Sequence, residues 1–502
     1  MKPHRNRKHF WSLFHRWAGL LVSVFTLVFC VSGIILNHRD VFSGAEVSRS
    51  ILPASYKIRN FNNGIIKGSL ALDNDSILAF GTCGVWLTDT GLDGFADFNR
   101  GLPDGVDNRN IRNIVRTKDG ELWCAAQYGL YRYADGKWCP IELSDNSERL
   151  TDVCITPDST AVVAVTRSKI YRLSPDGTFR PSELPAPDGY RNEVSLFKTV
   201  WQLHSGELFG ITGKIIVDVI AVILAFLSIS GIILFILPYR IRSKVKRHMA
   251  AIRDSKVFRW NFSWHNRIGY YTLPVVFLIV FTGTCLRPPL MIPFVKTKTA
   301  PMPGSSLSSP NAWHDKLRAL RWDENWNKWL LSTSDGFFSL DSLPAVPVPY
   351  AKKSAPPVSP MGITVFQQEN NGDWLIGSFS GLYRWQPDLG VVRDYSTNEI
   401  IDLTKKRPFD LGGNIVSGYT ADTKEPIVFD YARGANKPVK SDSLIEKQPM
   451  SLWNFALELH VGRCYSPFLG PFSDLFVFLS GTLIMLILIS GYIVSKKHKS
   501  HN

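Results

Sequence analysis

This sequence predicts an α-helical membrane bundle of four transmembrane helices, arranged as two span–domain–span repeats, together with an all-β, propeller-like outer part. Three observations lead there. The apolar residues, 45% of 502, are bunched into four long stretches. The short pieces beside those stretches are crowded with Lys and Arg. The long pieces repeat a short-strand motif with a period of roughly 40–45 residues, the length of a propeller blade.

The four stretches are Trp17–Leu36, Ile215–Leu237, Tyr270–Leu286 and Leu475–Val494. Each is close to or beyond the roughly 20 residues a helix needs to cross a bilayer core. No small-residue cleavage motif follows the first, so it reads as a retained helix and not a signal peptide. The chain then divides into a cytoplasmic arm with the first helix (1–37), a periplasmic β domain (38–204), the second helix (205–237), a basic loop (238–267), the third helix (268–286), a second periplasmic β domain (287–470), and the fourth helix with its tail (471–502). A soluble enzyme and a disordered chain are both excluded as leading readings.

The formal charge of +14 is unevenly spread. Residues 1–16, 238–267 and the tail hold 17 of the 57 basic residues, including Lys2, Arg16, Arg240, Lys244 and the tail's Lys496, Lys497 and Lys499, against one acid, Asp254. Everything else holds 40 basic and 42 acidic residues. Basic residues in short loops next to spans mark the cytoplasmic side. Both termini and the 238–267 loop are therefore expected inside, and the two long loops outside, in the periplasm of a bacterial inner membrane. The basic residues have a duty as topology signals and anionic-lipid contacts, so nucleic acid is not expected as a partner.

The spans repeat. Phe14-His15-Arg16-Trp17-Ala18-Gly19 opens the first and Trp264-His265-Asn266-Arg267-Ile268-Gly269 the third. Ser32-Gly33 follows His15 at the same offset as Thr282-Gly283 follows His265. Leu203-His204-Ser205-Gly206 precedes the second span and Leu459-His460-Val461-Gly462 the fourth. Ile229-Ser230-Gly231 and Ile489-Ser490-Gly491 come later in those spans, the second of them four positions further from its histidine than the first. The second copy thus carries a short insertion near Pro467–Pro471. Two copies give a bundle with an approximate twofold axis along the membrane normal. The small pairs suit close helix approach.

Histidine within or beside a span is costly enough to mark function. His15 and His265 share the cytoplasmic side, and His204 and His460 the outer side. Facing imidazoles on neighbouring helices supply the two axial positions of a haem iron, which predicts two b-type haems, one near each face. No Cys-x-x-Cys-His occurs for covalent attachment. His38 has no counterpart in the repeat and is a further candidate ligand on the outer side, or a surface residue. His4, His9, His248, His314, His498 and His501 are assigned no chemistry.

These motifs resemble the PepSY-associated transmembrane family, also described as iron-regulated membrane proteins. The resemblance rests on Phe14-His15-Arg16-Trp17-x-Gly19, the Ser-Gly pairs and Leu-His-x-Gly before the second and fourth spans, and it covers the membrane part, a quarter or so of the chain. It implies haem-containing reductases that deliver electrons across the inner membrane to ferric siderophores, with His15, His265, His204 and His460 as the haem-binding positions. The outer parts depart from the PepSY-type domains usual in the family, which leaves the ferric substrate open.

Within the long loops, Asp119-Gly120-Glu121-Leu122-Trp123 leads into Tyr128–Tyr133, and Asn371-Gly372-Asp373-Trp374-Leu375 into Ser380–Trp385. The aromatic positions Trp86, Tyr131 and Tyr171 recur at that same blade-like period, and so do Phe338 and Tyr383. The period suggests propeller blades, about three in one loop and two or three in the other, combined into one cap above the outer haem site. Pro344–Pro360 reads as an irregular linker. Cys83, Cys124, Cys139, Cys154 and Cys464 would face an oxidising compartment, which opens a disulfide to the first four, whereas Cys30 and Cys285 pack within spans.

The expected function is transmembrane electron transfer to a ferric chelate, such as a siderophore or haem iron. The cytoplasmic pieces are too short for a nucleotide domain and carry no Rossmann glycine fingerprint, so a quinol or a separate cytoplasmic reductase is the expected donor. Two other readings stay open: a periplasmic ligand receptor or sensor, and a haem or siderophore permease.

Overall fold

The structure, a computed structural model, describes residues 3–357, 359, 362–403, 415–440 and 442–495, with side chains from residue 9 onward. The tail's Lys496, Lys497 and Lys499, with Lys2, lie outside the described residues. The chain forms two compact units: 1–42 with 192–308 and 452–502, and 43–191 with 309–451. Residues 196–205 and 452–460 are helical and belong to the first unit, although their position in the sequence groups them with the β domains.

Among the described residues, four helices of the first unit are long and apolar enough to cross a membrane: His9–Asn37, Glu207–Lys246, Ile252–Cys285 and Arg463–Ser495. They run past the apolar stretches because their polar ends extend the same helices; the second continues through Pro238 to Lys246. The first span packs against the second and fourth, and so does the third. Outward-facing Leu21, Val24, Val31, Val219, Val222, Leu479 and Leu486 are exposed. An apolar exterior of this kind is stable only against lipid. At the turn between the second and third spans, Asp254, the one acid of the basic loop, takes Lys244 at 2.9 Å and Arg240 at 3.4 Å.

The second unit is built mainly of β-sheets, with a short α-helix at Ser443–Glu446. Three four-stranded antiparallel sheets come from the first long loop, spanning Gly68–Asp97, Ile111–Ile141 and Leu150–Ser182; the second loop supplies Leu317–Pro349, Val365–Asp394 and a three-stranded sheet, Val416–Ala435. The first strand of each sheet neighbours the first strand of the next, and the sixth returns to the first. Tyr419 N–H donates to Lys67 C=O at 3.1 Å across that junction. Among the described residues six sheets thus follow one another in cyclic order, three from each loop, an arrangement compatible with a propeller. A short antiparallel pair, Glu46–Val47 with Met450–Ser451, joins the two chain ends of the unit.

The repeat explains the sheets. Trp86, Tyr131, Tyr171, Phe338 and Tyr383 all lie on the third strand of their sheet and are buried. Gly84, Gly336 and Gly381 precede them at φ of 125°, 129° and 128°, a turn conformation that side chains resist. Between the third and fourth sheets, where the two loops meet, the buried Asp152 forms an ion pair with the part-buried Arg321. Leu320 N–H donates to the same carboxylate at 3.0 Å, and Arg321 reaches Phe366 C=O in the fifth sheet at 3.1 Å.

Two expectations are corrected. No disulfide forms, because Cys124 and Cys154 are buried as thiols in two different sheets, Cys83 is buried in a strand-to-strand turn of a third and Cys139 stands on an outer strand; none of the seven cysteines is disulfide-bonded. Pro344–Pro360 is not wholly a linker: Val348–Pro349 pairs with Phe338 and Ser339 as the outermost strand of the fourth sheet, an edge position where proline's missing N–H costs little.

Candidate functional site

The site begins with how four histidines are presented. His15 and His265 stand on the first and third spans, within continuous helices. His204 and His460 occupy the last turns of two short helices, Leu196–Ser205 and Leu452–His460. Gly206 and Gly462 follow at φ of 80° and 84°. A left-handed glycine ends a helix without a Cβ penalty, which accounts for the Leu-His-x-Gly motif: it stops the short helix just after the histidine and turns the chain into the span.

The bundle brings these residues together in two pairs. His15 and His265 have ring centroids 6.2 Å apart with planes at 72°. His204 and His460 have centroids 6.1 Å apart with planes at 50°. His15 is as far along its helix from Ser32, which lies beside His460, as His265 is from Thr282, which lies beside His204. At a rise of about 1.5 Å per residue that interval is about 26 Å along each helix, comparable with the hydrocarbon thickness of about 30 Å.

Each imidazole sits on a hydroxyl–glycine pair of another helix. His15 Nδ1 lies 3.0 Å from Ser490 Oγ and 3.1 Å from Ile487 C=O. His265 Nδ1 lies 2.7 Å from Ser230 Oγ. His204 Nδ1 lies 3.2 Å from Thr282 Oγ1 and 3.0 Å from Ile279 C=O, and His460 Nδ1 lies 2.9 Å from Ser32 Oγ. The adjoining glycines meet the ring edges: a Cβ on Gly491, Gly283, Gly33 or Gly231 would stand 2.9, 2.7, 3.4 or 3.7 Å from Cε1 of His15, His204, His460 or His265 respectively. With every Nδ1 engaged, Nε2 is the nitrogen left to each pair.

Around the first pair the bundle encloses a cavity of about 430 Å³ lined by His15 and His265 and by Gly19, Gly231, Gly269 and Gly491. This is within the size range of ligand pockets. Gly19 and Gly269 are repeat mates four positions after their histidines, one turn along the same helix face.

His38 is placed elsewhere. Its Nε2 is 2.6 Å from Asp218 Oδ2, and Asn37 Nδ2 donates to the same carboxylate at 3.2 Å. The partner of His204 is His460, so His38 joins neither pair. Sequence reasoning missed the four hydroxyls as partners of the histidines. The signal was present in the equal offsets from histidine to Ser-Gly and Thr-Gly, but packing glycines produce the same pattern.

Four apolar spans with two imidazole pairs inside the bundle define an integral membrane protein with paired histidine sites. The chain belongs to the PepSY-associated TM region family, which matches residues 1–237, the first span–domain–span repeat, and 188–497, from the end of the first outer loop through the second, third and fourth spans. No curated protein matches it. Similar solved structures include an extracellular domain assigned to a one-component system of B. thetaiotaomicron, at 14% identity and a TM-score of 0.35, covering 74% of this chain and 32% of that one. The β-propeller domain of Cps50 (Swd1) from Myceliophteria thermophila is also similar, at 10% identity and a TM-score of 0.31, covering 77% and 89%. This chain thus spans about a third of the length of the first.

Proposed function

We propose that this protein is a haem-containing reductase of the bacterial inner membrane that passes electrons outward to a periplasmic ferric chelate, a siderophore complex or haem iron. The observation that carries the reading is the pair of imidazole sites, with ring centroids 6.2 and 6.1 Å apart. Two metal–imidazole bonds of about 2.0 Å, plus about 1 Å from each nitrogen to its ring centre, sum to about 6 Å. The Nδ1 contacts leave Nε2 for the metal in all four residues, and a cavity of about 430 Å³ lined in part by four glycines adjoins the first pair.

Haem, held by His15 with His265 and by His204 with His460, would supply a one-electron carrier suited to electron transfer and not to oxygen chemistry. The chain's own contribution is placement. His15 and His265 would hold the group on the side where the basic residues gather, and His204 and His460 the group on the other side. That orientation puts both termini and the 238–267 loop in the cytoplasm. The apolar spans exclude water and ions between the levels. The electron comes from a quinol or a separate cytoplasmic reductase, and the ferric iron of the chelate accepts it, becoming Fe(II), which oxygen-rich chelators hold less tightly.

The test is a dithionite-reduced minus oxidised spectrum of the purified protein, with haem content per chain. Two b-type haems are expected in the wild type, and H265A and H204A should each lose one. A protein without b-type bands overturns the reading and leaves a receptor or a permease.

A further inference from the structure

Resting on the haem reading, a finer division of labour follows from where the hydroxyl protons go. Ser490 Oγ donates to Ile487 C=O at 2.7 Å, Ser230 Oγ to Leu227 C=O at 3.0 Å, Ser32 Oγ to Val28 C=O at 2.6 Å, and Thr282 Oγ1 to Ile279 C=O at 2.9 Å. A hydroxyl has one proton. Each of these is spent on the hydroxyl's own helix, so toward the histidine the oxygen can only accept. Nδ1 must then carry the hydrogen, and the lone pair stays on Nε2.

We propose that Ser32, Ser230, Thr282 and Ser490 are positioning residues that fix the tautomer and ring orientation of the four haem-binding histidines, and that Ser230 sets the redox poise of the inner site. The weight falls on Ser230 because the four seats are unequal. His15 and His204 have a backbone carbonyl on Nδ1 as well as the hydroxyl, and His460 has the carbonyl of Phe29. For His265, Ser230 is the only hydrogen-bond partner of Nδ1 among the described residues. Ser230 is itself fastened, since Asn261 Nδ2 donates to its carbonyl at 2.8 Å and only 1% of its surface is exposed.

An acceptor on Nδ1–H makes the imidazole a stronger donor to its metal, and loss of such a partner costs about 10–100-fold in metal affinity or activity. A stronger donor favours ferric over ferrous iron. Removing the acceptor therefore raises the midpoint potential of that haem and loosens it.

The experiment compares S230A, S490A and S230T in the full-length protein, by potentiometric titration of the reduced spectrum and by haem retained through purification. S230A is expected to shift one midpoint upward and weaken haem retention about tenfold or more. S490A should move the same haem less, because Ile487 C=O still holds His15, and S230T should restore the wild-type potential. S230C keeps the size but is a weak acceptor, and carries the S230A expectation should S230A not accumulate. A haem-bound wild type with S230A unchanged, or with S490A as severe as S230A, overturns this inference alone. A wild type lacking haem overturns the haem reading as well.

Discussion

The Cβ that Gly283 lacks would stand 2.7 Å from Cε1 of His204. No real Cβ sits so close to a ring atom, and both helices are held by their neighbours, so His204 would have to turn off its seat. Alanine in a helix normally gains about 1 kcal/mol over glycine. G283A is therefore expected to keep helix content and thermal stability while losing the haem of the second pair, and G491A, at 2.9 Å from His15, to do the same at the first. G231A, at an ordinary 3.7 Å from His265, should retain both haems. Haem content against circular dichroism checks the set.

At the junction of the two loops the buried Asp152 carboxyl is paired with the guanidinium of Arg321, whose side chain is one-fifth exposed. Removing one leaves the other charge buried and unpaired, a loss of about 3–5 kcal/mol, whereas replacing both by apolar residues is often near neutral. D152A should lower the thermal midpoint of the β unit sharply, and the D152L/R321M double variant should recover most of it. Scanning calorimetry of the detergent-solubilised protein distinguishes these outcomes.

Acid should act differently on Asp145. Hydrogen bonds from Lys169 and from the hydroxyl and N–H of Ser147 hold its pKa down at about 2. A carboxylate depressed on folding contributes stability above its unfolded pKa of about 3.9, and loses it as pH falls toward the folded value. The wild type should exceed D145N in thermal midpoint at pH 5 by a small margin, since a third of the side chain is exposed. That margin should close between about pH 4 and pH 2.

The thiols offer a simpler check. Seven free cysteines mean seven titratable thiols in denaturant without reductant, and no change in gel mobility on reduction. A count of five would reveal a disulfide.

How much of this was legible beforehand follows the range of the interactions. Spans were readable because a helix in lipid buries its backbone in itself and advertises its apolar face locally. The histidine pairs were readable because the repeat tied His15 to His265 and His204 to His460 before any helix was packed. Ser230 and Gly231 as the seat of His265 were not readable, since Ser-Gly in a span looks the same whether it packs a neighbour or holds a ring; the partner comes from another helix. Tyr171 and Tyr383 announced sheets by their spacing, yet the closure of the sixth sheet on the first depends on a bond such as Tyr419 to Lys67, which joins strands from opposite ends of the unit's sequence.

The first and third spans each carry a paired histidine at one level and the hydroxyl–glycine seat of another histidine at the other, which makes them rulers. One residue added between His15 and Ser32 would advance the seat by about 1.5 Å and swing it by about 100°, so one site or the other would be lost. Both copies keep the same interval there. Between His204 and Ser230 and between His460 and Ser490 the intervals differ by four positions, and a helix break at Gly206 or Gly462 lies within each. Length has drifted only where the chain is jointed. The need to serve two sites with one rigid rod constrains the first interval, and the glycine joint relieves the second.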